Sequence, residues 1–110
     1  MKIAIVGSRK LTNIALEQHI PKDITEIVSG GAVGVDICAA EYAKKHGLKL
    51  TEFLPQYEHL GRAAPIVRNR QIVDYADKII VFWNGSSKGS LSVIKYAQKI
   101  GKPIDIILCK

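Results

Sequence analysis

"KIIVFWNGSSKGSLSVIKYAQKIGKPIDIIL", residues 78–108, holds one full cycle of a layered α/β fold. It opens on a short continuous apolar run, "KIIVFW" (78–83), that reads as a strand, followed by a Gly- and Ser-rich loop, "NGSSKGS" (84–90). From 89 to 100, Val93, Ala97 and Ile100 recur at helical spacing, and Gly101 stands where a helix wants a left-handed C-terminal residue. "PIDIIL" (103–108) then returns as a second apolar strand.

The same cycle runs back toward the N-terminus. "KIAIVG" (2–7), "ITEIVS" (24–29) and "LKLTEFL" (48–54) supply three more strands, and helical patterns fill roughly 12–20, 35–46 and 63–76. In the second helix Val33, Ile37, Ala40 and Ala43 form a core stripe, closed by Gly47. In the third, Ile66, Ile72, Val73 and Ala76 define the buried arc, and Asn69 falls inside it. Near-continuous apolar strands separated by helices imply a mostly parallel sheet covered on both faces. Five strands and four helices make one doubly wound α/β domain over residues 1–110. Right-handed crossovers, with a reversal after strand three, give the strand order 3-2-1-4-5.

Composition bounds the function. With 47% apolar and 24% charged residues in 110, the chain has the make-up of a soluble globular protein. No apolar run approaches the ~18 residues that span a bilayer, and "MKIAIVGSRK" lacks the features of a signal peptide. The expectation is a cytoplasmic protein with no membrane partner. Cys38 and Cys109 show no metal or redox spacing and read as free thiols; His19, His46 and His59 are scattered and read as surface residues, so no metal site is expected. The net charge of +6 favours an anionic partner: a nucleotide, a nucleic acid or a phosphorylated metabolite. Lysines on exposed helix faces, such as Lys44, Lys45, Lys95, Lys99 and Lys102, would give the same number without a ligand.

In an open α/β sheet ligands sit beyond the carboxyl ends of the strands. Those ends here are "GSRK" (7–10), "SGGAVGVD" (29–36), "PQYEHLGRAAP" (55–65) and "NGSSKGS". In the first, Gly7 turns the chain off its strand while Ser8 and Arg9 offer a hydroxyl and a guanidinium to a phosphate. In the second, Gly30 and Gly31 allow close backbone approach beside Ser29, and Asp36 suits a sugar hydroxyl or the loop's own backbone. In the fourth, Asn84, Gly85, Ser86, Ser87, Lys88, Gly89 and Ser90 lead into a helix N-terminus as an anion cradle. Trp83 reads as core rather than as a stacking platform. Asn69, if buried, needs partners, and Arg68 or Arg70 beside it could reach the pocket. The competing account for each loop is a plain strand-to-helix turn. Neither the G-x-G-x-x-G fingerprint nor a Walker loop is present.

Five motifs in order, "IVGSR", "SGGAVGVD-ICAAEYA", "GRAAPIVRNRQIV", "ADKIIVFWNGSSKGS" and "GKPI", resemble the YspA-like branch of the SLOG superfamily, which is related to the Lonely Guy phosphoribohydrolases and to DprA. The resemblance implies a Rossmann-like sheet, a nucleotide or NAD-derived ligand at its carboxyl edge, and a homodimer. The related hydrolases carry a catalytic Glu in the fourth loop's motif; Val93 stands there in this chain and can neither stabilise an oxocarbenium ion nor activate water. A basic residue of the second loop is replaced by Val33. The expectation is therefore a nucleotide-binding or sensing module with no catalytic residue and no fixed cofactor. An enzyme acting on a nucleoside phosphate, drawing on Asp36, Glu58 or His59, is the alternative, and single-stranded DNA binding the third.

Overall fold

The computed structural model describes residues 1–8, 10, 11, 14–31 and 34–109. Five strands, β1 (Lys2–Gly7), β2 (Glu26–Ser29), β3 (Lys49–Glu52), β4 (Lys78–Trp83) and β5 (Ile104–Leu108), form one sheet in the order β3-β2-β1-β4-β5. Every pair is parallel, with Ile3 opposite Ile27 on one side and opposite Lys78 on the other. The expected order is the observed one.

Alternation along the two central strands divides the core into two layers. Ile3, Ile5, Ile27, Ile80 and Phe82 point to one face, which is covered by α1 (Val35–Lys45) and by Leu16 and Ile20. Ala4, Val28, Ile79 and Val81 point to the other, under α3 (Ala64–Tyr75) and α4 (Lys88–Ile100). A further short helix, α2 (Tyr57–Leu60), buries none of its residues. Both sheet faces are thus sealed by helix, as apolar parallel strands demand.

Four expectations change. Between β1 and β2 the predicted helix over 12–20, whose residues 12 and 13 lie outside the described residues, is among the described ones a single 3₁₀ turn, Leu16–Gln18. A proline at 21 disfavours the helical region for the residue before it, which stops the helix, and Leu16 and Ile20, with the partly buried Leu11, Ile14 and Ile24, cover the sheet there. On α1 the buried stripe is Val35, Ala39 and Ala43; Ile37 is 48% exposed and Ala40 half-buried, while Val33 lies outside the described residues. The helix starts from Gly34 at φ 76°, and that turn sets its phase one step away from the apolar count. Ile66, in the first turn of α3, and Ile100, at the end of α4, are exposed, though Ile72, Val73, Ala76, Val93 and Ala97 are buried as expected. Lys102 is half-buried, its Nζ donating to the carbonyl of Ala76 at 2.6 Å just past α3. Gly47 and Gly101 do take left-handed angles after their helices.

Candidate functional site

The order β3-β2-β1-β4-β5 puts the switch point between β1 and β4, and a cleft of about 410 Å³ opens at their carboxyl ends. Its wall on one side is the β1 end, Val6, Gly7, Ser8 and Lys10; opposite lie Asn84, Ser86, Ser87, Gly89 and Ser90, and α3 closes it with Pro65, Arg68, Asn69 and Ile72. Gly30 and Asp36 complete the rim.

Backbone packing makes the wall. A side chain at Gly7 would lie 2.8 Å from the Phe82 carbonyl and inside Val35, so only glycine lets α1 and β4 close against the end of β1. Ser8 follows, buried and only 2% exposed; its N–H donates to the Phe82 carbonyl at 3.2 Å and its Oγ accepts from the Asn84 N–H at 3.3 Å. Asn84 then shapes the fourth loop, its Oδ1 accepting from the N–H groups of Ser86 (3.0 Å) and Ser87 (2.9 Å) and from the Ser86 hydroxyl. Trp83 is half-buried against the core, and its indole N–H donates to the Ser87 carbonyl at 3.0 Å, so it braces the loop.

The loop delivers the N-terminus of α4. Ser87 is its N-cap, Oγ accepting from the Ser90 N–H at 3.5 Å, and the Ser87 carbonyl takes the Leu91 N–H. The N–H groups of Lys88 and Gly89 have no partner among the described residues, the usual state of a first helical turn. Ser90 is 3% exposed and lines the cleft, yet its Oγ also has no partner among the described residues. A buried hydroxyl left so costs about 1–3 kcal/mol unless something in the cleft meets it. Such a helix start favours an anion.

Across the cleft, Arg68 reaches from α3 to the second loop. Its Nη1 donates to the Gly30 carbonyl at 3.0 Å and its Nε to Asn69 Oδ1 at 2.9 Å. Asp36 Oδ2 and Arg68 Nη1 both crowd Gly30, within 3.2 and 2.5 Å of where a Cβ would stand. A guanidinium therefore sits beside the carboxylate that would otherwise repel a phosphate.

The family model described as DNA recombination-mediator protein A matches residues 1–56, half of the chain. The chain belongs to that family. The matched half contains β1, β2, α1 and β3, and so the Gly7–Ser8 and Gly30–Asp36 walls of the cleft. The fold is also similar to a solved structure of DNA processing protein A from Helicobacter pylori, studied for its single-stranded DNA binding mode. The TM-score is 0.76 and the identity 27%, over all of this chain and 66% of that one. This chain therefore spans just under two thirds of that relative's length. No curated protein matches the sequence.

Gly7, Ser8, Gly30, Asp36, Arg68, Asn69, Asn84, Ser86, Gly89 and Ser90, expected at the site, all line this family member's cleft. Arg9 lies outside the described residues. Ser29 is fully buried behind the cleft, its Oγ accepting from the Gly31 N–H at 3.2 Å, and Gly31 and Gly85 are exposed turn residues that do not line it. Arg70 and Lys88 turn instead into a second groove between α3 and α4. Of the alternative catalytic groups only Asp36 is in the cleft; Glu58 and His59 line a separate hollow on α2, and Val93 is wholly buried in the core. Ser87, expected in the fourth loop's cradle, lines the cleft as well, whereas Val6, Lys10, Pro65 and Ile72 line it without having been expected there. Of these, Lys10 carries a signal in the sequence, since it closes the basic "GSRK" stretch at the end of β1.

Proposed function

We propose that this chain binds single-stranded DNA, holding its phosphodiester backbone in the cleft at the carboxyl edge of the sheet. The observation that carries this is the buried Ser90 hydroxyl at the N-terminus of α4, without a partner among the described residues. With the Lys88 and Gly89 N–H groups it forms a donor set for one phosphate, and Lys10 and Arg68 add positive charge on the facing walls. Asp36, with Arg68 beside it, holds the second loop in place. Family membership and the likeness to the Helicobacter pylori protein support a nucleic acid over a free metabolite. The finer, YspA-like placement rests on the five motifs from "IVGSR" to "GKPI", three of which lie beyond the family-model match, and we propose it together with a single domain over 1–110 and a homodimer. The open edge of β5, with Ile106 and Leu108 exposed, supports pairing. No described helix is long and apolar enough to cross a membrane.

A second reading has the cleft hold a free nucleotide or NAD-derived molecule, and the cleft's volume of about 410 Å³ favours it, since small-molecule sites span about 300–1,000 Å³. One experiment separates the two. Ser90→Ala removes the orphaned hydroxyl, so the free protein gains about 1 kcal/mol or stays unchanged, while affinity for a labelled oligothymidylate falls about 10-fold in fluorescence anisotropy. Unaltered affinity overturns the cleft assignment. Displacement of the oligonucleotide by mononucleotide at equal phosphate concentration transfers the cleft to the second reading.

A further inference from the structure

The groove between α3 and α4 has no role in the cleft. Its volume is about 370 Å³, and Arg70, Lys88, Lys95, Tyr96 and Lys99 line it. Lys88, Lys95 and Lys99 are spaced by seven and four residues and so share one face of α4. At 1.5 Å per residue the row extends about 16 Å, enough for roughly three phosphates of an extended strand. Among the described residues none of the four cations is within ion-pair distance of a carboxylate. The nearby Asp74 instead accepts from the Tyr96 hydroxyl at 2.8 Å, which fixes the ring, and the Arg70 guanidinium lies 5.5 Å from that ring's centre.

A solvated lysine face would explain the charges but not a groove with a pinned aromatic ring and an arginine against it. Backbone-tracking cations beside a planar surface are the apparatus of sequence-tolerant single-strand binding. Along the chain the groove follows directly on the cleft: Lys88 immediately precedes Gly89 and Ser90 at the start of α4, and Arg70 stands two residues beyond Arg68 on α3, turned to the groove where Arg68 is turned to the cleft. We infer that a single strand anchored in the cleft runs on along α4 through this groove, its phosphates on Lys88, Lys95 and Lys99 and a base against the Arg70–Tyr96 pair. This rests on the single-strand reading of the cleft.

Strand length provides the test. Anisotropy is measured with oligothymidylates of about three and about twelve nucleotides, the first filling only the cleft and the second also reaching the groove. Lys95→Glu with Lys99→Glu, both exposed, should weaken the longer probe about 10-fold or more and leave the shorter unchanged. Ser90→Ala should weaken both. If the lysine variant binds both lengths like the parent chain, the groove is overturned and the cleft stands. If Ser90→Ala weakens neither while the lysine variant weakens the longer probe, the cleft reading fails and the groove binds alone. Polyglutamate that displaces the longer probe as well as unlabelled DNA does would make the groove a general polyanion surface and overturn the strand path. A longer probe with 5-bromodeoxyuridine at successive positions should photo-crosslink to the peptide containing Tyr96; crosslinks confined to cleft peptides overturn the path independently of any substitution.

Discussion

Glu26 is a buried carboxylate, 7% exposed, at the amino end of β2, remote from the cleft. Its Oε2 accepts from the Thr51 and Tyr75 hydroxyls, both at 2.6 Å, and Lys49 approaches Oε1 at 3.9 Å. Burial pushes its pKa up, but the two hydroxyl donors and the charges of Lys49 and Lys2 outweigh it and hold the carboxyl below its ordinary value. A folded-state value below the unfolded one means the stabilisation is fully present above the ordinary carboxylate range. It is lost as pH falls through the folded value. Thermal melts should therefore show the parent chain losing stability below about pH 4.5, with that part of the slope missing in Glu26→Gln. At neutral pH Glu26→Ala strands two hydroxyls and should cost about 1–3 kcal/mol in urea unfolding. None of this is visible in "ITEIVS", where Glu26 looks like the solvent-facing residue of a strand; its partners arrive from β3 and α3, far along the chain.

At the scale of elements, the parallel strands and the loops at their carboxyl ends are legible because each depends on local composition alone. Helix phase is less so. The apolar count on α1 favours Ile37 inward, whereas the turn at Gly34 rotates Ala39 against the sheet, fully buried, and leaves Ile37 48% exposed. Ile37→Gln should then change stability by no more than about 0.5 kcal/mol, while Ala39→Leu overfills the layer beneath α1 and should cost about 1–3 kcal/mol. Denaturant midpoints in which the order is reversed would restore the stripe through Ile37 and Ala40. Rotation about a helix axis also decides the site. Arg68 and Arg70 are equivalent in the sequence, yet one reaches Gly30 in the cleft and the other lies against Tyr96. Lys88 leaves the cleft for the groove by the same cause.

For the whole molecule, net charge and placed charge make different predictions. The chain carries +6, and any cationic surface draws DNA at low salt. Counterion release ties the slope of log K against log salt to contacted phosphates, about −0.7 for each on a single strand. One phosphate at α4's N-terminus and three along the groove predict a slope near −3 for the longer oligothymidylate. With Lys95→Glu and Lys99→Glu it should flatten to about −1.5. The sheet supplies its own control, because Lys44, on α1, is carried on the opposite face and Lys22 precedes β2, at the amino ends of the strands. Exchanging Lys22 and Lys44 for glutamate lowers the net charge as much as exchanging Lys95 and Lys99. At about 0.1 M salt a charge more than about 10 Å from the strand is largely screened, so this second variant should keep the steep slope. Equal flattening in both variants would mean that DNA responds to the overall charge of the molecule and follows no path along α4.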